Sequence, residues 1–107
     1  MGKKLQWSAK IYEGTWQECL EWAASLNEGG YRDWRLPTIH ELQKIFSYKK
    51  GKPKIGGFQP HYHWSSLTFD SEKILIWQMN LSNGCVTYKA GGTNYARCVR
   101  RKDNDNG

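Results

Sequence analysis

Lys49, Lys50, Lys52 and Lys54 fall within a six-residue stretch, and Arg97, Arg100, Arg101 and Lys102 gather near the end of the chain. Flexible ammonium groups neutralise a sulfated or phosphated polymer without a fixed geometry, and arginine adds forked two-bond contacts. Polyanion binding is therefore the chemistry these eight residues suit. The plainer reading of the lysines is a solvated face, and that of Arg97 and Arg100, on a strand around Cys98, is pairing with a carboxylate at the edge of the core. A second constellation, Asp33-Trp34-Arg35-Leu36-Pro37-Thr38 with Glu41 behind it, joins a ring, a cation and a carboxylate. Pro37 cannot sit inside a helix, and Thr38 with Glu41 three residues on makes a capping box. The segment reads as a structural corner, with Trp34 buried and Arg35 paired to Asp33 or Glu41. Trp64 and Trp77 are also assigned to structure, because a small domain needs such rings for its core even though their faces suit sugar.

The remaining candidates are weaker. His61 and His63 would share one side of a strand, as metal ligands must, but no third ligand stands in register and only His40 or Cys85 could approach in space; such a pair reads as surface chemistry. No metal and no cofactor are expected. Ser65 and Ser66 beside His63 would face opposite ways and lack an orienting third group, so no nucleophile is assigned. Asn80-Leu81-Ser82 matches a glycosylation acceptor only by its pattern. Cys19, Cys85 and Cys98 cannot all pair within one chain, and no Cys-x-x-Cys spacing occurs. A Cys19–Cys98 bond and three buried thiols both stay open.

The elements that must carry these residues read as one domain over 1–107. A strand at 5–12 precedes a helix at 16–27, where Thr15 and Glu18 form another capping box, and a second helix runs over 39–48. Residues 49–60 read as an exposed basic loop. Strands at 62–68, 73–81, 85–90 and 95–101 follow as a meander, with Leu75, Trp77, Met79 and Leu81 on a core face, and 103–107 read as a disordered tail. The fold class is α+β, two N-terminal helices packed on an antiparallel sheet of short strands. Aromatics at 14% indicate a core built on large rings, and a net charge of +6 favours acidic partners. The longest apolar run, Ile74 to Trp77, is too short to insert into a membrane. No apolar stretch follows Lys3 and Lys4, so no signal peptide is read in the chain.

Leu5-Gln6-Trp7, Thr15-Trp16, the Trp34 corner, Tyr62-His63-Trp64-Ser65-Ser66, Trp77 before Asn83-Gly84, and Asn94-Tyr95-Ala96-Arg97-Cys98-Val99-Arg100 occur in an order that resembles the DUF1566 family, the C-terminal domain of the Legionella collagen-like adhesin. The resemblance implies a fold similar to C-type lectins and formylglycine-generating enzymes, in which a helix and the last strand bring the chain ends together. It also favours the Cys19–Cys98 disulfide, and with it a secreted or surface location; without that bond the location would be cytoplasmic. Neither Glu-Pro-Asn nor Trp-Asn-Asp, the calcium-binding runs of lectins, occurs, and Cys85 with Cys98 does not supply a copper-binding pair. The expectation is a non-catalytic module for an anionic polysaccharide, a sulfated or acidic glycan, as the adhesin's glycosaminoglycan binding implies. The alternative is a bacterial or phage-encoded module or inhibitor that binds an acidic protein. Nucleic-acid binding ranks below both, and nothing in the residues sets the oligomeric state.

Overall fold

The computed structural model describes residues 4–72 and 74–102. The expected tail at 103–107 lies outside them. In chain order the elements are β1 (Lys4–Thr15), α1 (Trp16–Ser25), α2 (Ile39–Ile45), β2 (Phe46–Ser47), β3 (Lys52–Pro53), β4 (Tyr62–Thr68), β5 (Leu75–Asn80), β6 (Val86–Ala90) and β7 (Thr93–Lys102), with a short 3-10 turn at Glu28–Gly30.

Both helices start as their sequences dictate. The Thr15 hydroxyl accepts from the Glu18 amide at 3.1 Å while Glu18 accepts from the Thr15 amide at 2.9 Å. Thr38 and Glu41 repeat the exchange at the same two distances. These bonds satisfy amides that a helix start otherwise leaves without partners. Both helices stop earlier than expected. Leu26 and Phe46, the residues after them, are already extended. Phe46 is buried in the core, and Gly51 at φ 69° turns the chain back so that Phe46 and Ser47 pair with Pro53 and Lys52. The stretch expected to be a featureless loop thus begins as a hairpin.

The main sheet has the order β1-β7-β4-β5-β6. β4, β5 and β6 form the expected meander, but β7 does not continue it. It crosses back to lie parallel to β4, with His63 opposite Tyr95, and antiparallel to β1 from Lys4↔Lys102 to Thr15↔Thr93. The prediction of short, wholly antiparallel strands is corrected accordingly, because β1 and β7 run 12 and 10 residues. Small Ala96 and Cys98, both fully buried, let β7 lie in the sheet interior beneath α1.

A bulge between Trp7 and Ile11 interrupts the β1–β7 ladder. Ser8 fills it: its hydroxyl accepts from the Cys98 amide at 3.1 Å and donates to the Lys10 carbonyl at 2.7 Å. The Glu28 carboxylate takes the freed amides of Ala9 and Lys10 at 2.7 and 3.1 Å. The amides that the bulge frees thus keep partners, which is what makes a bulge tolerable in a long ladder.

Each face of the sheet carries its own core. On the α1 side Cys19, Ala23, Trp34, Trp64, Ile76 and Cys98 pack together; on the α2 side Leu42, Phe46, Met79 and Leu81 do, with Trp7, Ile45 and Phe58 against them. Alternate residues of a strand point to opposite faces, so a sheet covered on both sides buries both parities. This corrects the expected single core face of β5: Ile76 serves one core, Met79 the other, and Trp77 lies in neither. Among the described residues, no helix is long and apolar enough to cross a membrane.

Candidate functional site: a basic hairpin beside an apolar cleft

Lys49, Lys50, Lys52 and Lys54 are all exposed on the β2–β3 hairpin and its flanks. Lys50, Lys52 and Lys54 line a groove of about 460 Å³ with Ser47 and Pro53. Lys52 and Lys54 also wall a neighbouring groove of about 370 Å³ whose other side includes Ile55 and Phe58. Among the described residues, none of the four lysines forms an ion pair. The hairpin is held by its backbone rather than by these side chains. The Lys54 amide donates to the Ile45 carbonyl at 2.7 Å, and the Gly51 amide to that of Ser47 at 2.7 Å. The β5–β6 turn supports it from below: the Tyr48 hydroxyl donates to the Gly84 carbonyl at 3.0 Å. Gly84 has φ 80°, and a Cβ there would lie 2.8 Å from the Phe46 ring, so this turn requires glycine.

The C-terminal cations do not form one patch. Arg97 and Arg100 are three positions apart on β7, and the structure puts them on opposite faces, both nearly buried. On the α1 side, Arg100 bonds Asp33 at 2.6 Å and Gln6 at 2.8 Å and lies 3.6 Å from the centre of the Tyr31 ring. On the α2 side, Arg97 donates to the carbonyls of Ser8 and Gly56 at 2.5 and 2.7 Å and covers the Phe58 ring at 4.6 Å. The carboxylate pairing considered for both therefore holds for Arg100; among the described residues Arg97 has no carboxylate partner. Arg101 and Lys102 are exposed at the strand end, opposite Leu5 and Lys4.

The Trp34 corner is a joint. Trp34 is buried, with its indole N–H on the Glu28 carbonyl at 3.1 Å. Arg35 forks onto Glu41 at 2.9 and 2.8 Å, and its backbone forms an isolated bridge with Val99. Hydrogen bonding to Arg35 holds the Glu41 carboxyl below its usual range, while Asp33 is lowered by Arg100. Pro37 is fully buried, and its carbonyl accepts from the Ser66 amide at 2.8 Å.

Trp64 is fully buried and donates to the Gly14 carbonyl at 2.9 Å. Trp77, assigned to the core from sequence, belongs instead to an outer aromatic group with Phe69 and Tyr88, at 5.4 Å from each. Tyr88 and Phe69 are about half exposed, so β6, at the sheet edge, leaves this group uncovered. His61 and His63 do share one side, both lying against Tyr95. His63 is buried, and desolvation pushes its pKa down to about 4; its Nδ1 lies 3.0 Å from the His61 carbonyl. Among the described residues, no three His, Cys, Asp or Glu side chains converge on a metal position. The Ser65 hydroxyl donates to the Trp77 carbonyl at 2.7 Å, a structural bond.

The Cys19–Cys98 bond implied by the resemblance is not formed. Both residues are buried thiols of the α1-side core, and the Cys19 sulfur is directed at the Gly14 carbonyl at 3.7 Å. Burial pushes both pKa values up to about 12, which keeps these sulfurs protonated and poorly nucleophilic. Cys85 is exposed.

One feature was missed from the sequence. Leu5 and Trp7 of β1, Ile45 of α2 and Ile55 wall a cleft of about 460 Å³. Lys44, Glu41 and Arg97 supply its charge. The Leu5-x-Trp7 spacing marks one face of a strand, but only the tertiary fold brings α2 and the outgoing limb of the hairpin over it.

The chain is thus a mixed α+β domain that closes its ends together and presents a basic hairpin at one side. Residues 2–100 match the family model of the Lcl C-terminal domain, and the chain belongs to that family, whose adhesin-like domain stands at the C-terminus of the Legionella collagen-like adhesin. No curated protein matches the chain significantly.

Proposed function

We propose that this domain is a non-catalytic binding module on a lectin-like scaffold and that its hairpin engages an anionic partner, a sulfated or otherwise acidic glycan. The observation that carries the reading is the state of the lysines: four exposed ammonium groups, without ion pairs among the described residues, three of them along one groove. Ammonium groups left without carboxylates keep their charge available, and a polymer that displaces their counterions gains affinity that falls with salt. Family membership fits an adhesin-like role. The β1–β7 ladder, which ties the first and last strands together, fits a lectin-like scaffold. The buried, protonated thiols of Cys19 and Cys98 fit a module without redox or nucleophilic chemistry.

An acidic protein is the second reading, favoured by the uncovered Phe69, Trp77 and Tyr88 rings, which would give a protein partner an apolar contact. Retention on immobilised heparin, followed against salt, separates the two. The glycan reading predicts retention that weakens steadily with salt and is lost when Lys49, Lys50, Lys52 and Lys54 become Ala, with neutral glycans not retained. Elution at low ionic strength, unchanged by the four substitutions, would reject it.

A further inference from the structure

Arg97 is a buried cation that the fold holds firmly but does not neutralise. It is 7% exposed, and its Nε and Nη1 are fixed on the Ser8 and Gly56 carbonyls while Phe58 lies against its plane. Gly57 presses on the same group, since a Cβ there would lie 2.8 Å from Nη1. Both acceptors are neutral. Among the described residues Nη2 makes no hydrogen bond and no carboxylate pairs with the guanidinium. The wholly buried side-chain polar atom without a partner among those residues is His63 Nε2, which leaves Arg97 Nη2 within reach of the cleft it lines. Burial lowers the Arg97 pKa, with the Glu28 charge opposing the shift. A guanidinium stays charged under such conditions, and its accessible Nη2 can donate to an entering oxyanion.

The rest of the cleft suits such a ligand. Lys44 adds a second cation. Glu41 also faces the cleft, but Arg35 binds both its carboxylate oxygens and the Thr38 amide binds one of them, so its charge is already answered. Leu5, Trp7, Ile45 and Ile55 supply apolar walls, and a volume of about 460 Å³ falls in the range of small-ligand sites. Ile55 is shared with the neighbouring groove, and Lys52 and Lys54 continue from there into the lysine groove.

We infer that this cleft is a subsite for one acidic sugar unit: the carboxylate or sulfate sits on Arg97 with Lys44 at the rim, and the ring lies against Trp7. The inference rests on the anionic-glycan reading and adds selectivity to it. The lysines follow the polymer by charge, whereas Arg97, fixed on three sides, selects an acid group by position.

The test is an NMR titration of the Trp7 indole N–H with methyl β-D-glucuronide, glucose 6-sulfate and methyl β-D-glucoside. A saturable shift is expected with at least one acid and none with the neutral sugar; which acid acts identifies the group bound. Ile55 is partly exposed, so Ile55→Glu and Ile55→Gln are compatible with folding. Ile55→Glu places a competing carboxylate in the cleft and is expected to bind the acid at least about tenfold more weakly, the scale of one charge-assisted bond, than Ile55→Gln, which alters the same wall without adding a charge. Equal binding by the two variants, an equal shift with the neutral sugar, or no shift with either acid would overturn the subsite. If heparin is retained through the lysines while neither acid shifts Trp7, the subsite fails and the glycan reading stands. If an acid binds but heparin is not retained, the subsite stands and the glycan reading fails.

Discussion

The corner at Asp33–Glu41 and the hairpin that starts at Phe46 are close in sequence, and both carry cations, yet they treat charge in opposite ways. At the corner each guanidinium has its carboxylate, Arg35 on Glu41 and Arg100 on Asp33. On the hairpin the lysines point outward without ion pairs among the described residues, while backbone bonds and the Phe46 and Tyr48 rings do the holding. A charge with a partner fixes geometry, and one without a partner is free to recruit a ligand. The net charge of +6 alone does not reveal this difference.

The largest effect should come from the corner. Trp34→Ala removes a ring that is 4% exposed and hydrogen-bonded to Glu28, and a large-to-small change of that kind costs about 3–5 kcal/mol. Urea unfolding should show that loss. A Trp34→Ala protein that folds with normal stability and lacks only ligand binding would reverse the roles assigned to the two regions.

Next is the sheet beneath the limb leaving the hairpin, where His63 touches Phe58. Its pKa is depressed to about 4 in the folded chain from an ordinary 6.5, so the unfolded chain binds the extra proton first. The stability contributed by the neutral ring is full above pH 6.5 and is lost as the pH falls towards 4, in total about 3 kcal/mol. The urea midpoint measured across that window should fall, and His63→Asn, which keeps a donor for the His61 carbonyl, should flatten the slope. An unchanged slope in His63→Asn would show that other groups set it.

Smaller still is Glu41→Gln, which keeps an acceptor for the Thr38 amide and removes the charge opposite Arg35 together with one of its two forked bonds. Arg35 is 45% exposed, so solvent screening limits the loss to about 1 kcal/mol. That loss should shrink in high salt. By contrast, replacing the four hairpin lysines with Ala should change stability by no more than about 0.5 kcal/mol per position, as exposed substitutions do.

What was legible in the sequence follows the same division. Thr15 with Glu18 and Thr38 with Glu41 announced the helix starts, because capping depends on residues three apart. The helix ends and the path of β7 did not show, because they depend on distant partners: Phe46 is drawn into the α2-side core, and Ala96 and Cys98 fit beneath α1. Trp77 misled because alternation on β5 does not say which face is covered. Arg97 and Arg100 looked like one patch in the linear sequence, although a spacing of three on a strand puts them on opposite faces. The lysines were visible as a cluster, but their groove needed the hairpin, and the Arg97 cleft needed β1, α2 and Ile55 brought together.

The most direct test of the central claim compares two triple variants of equal charge by salt elution from heparin. Lys50, Lys52 and Lys54 become Ala in one, and Lys4, Lys10 and Arg32, exposed and outside the hairpin, become Ala in the other. Each removes three of the positive charges behind the +6. If placement decides binding, the hairpin variant elutes at much lower salt than the other, which stays close to the unsubstituted protein. Equal shifts for both would show that overall charge, rather than the hairpin, attracts the polymer.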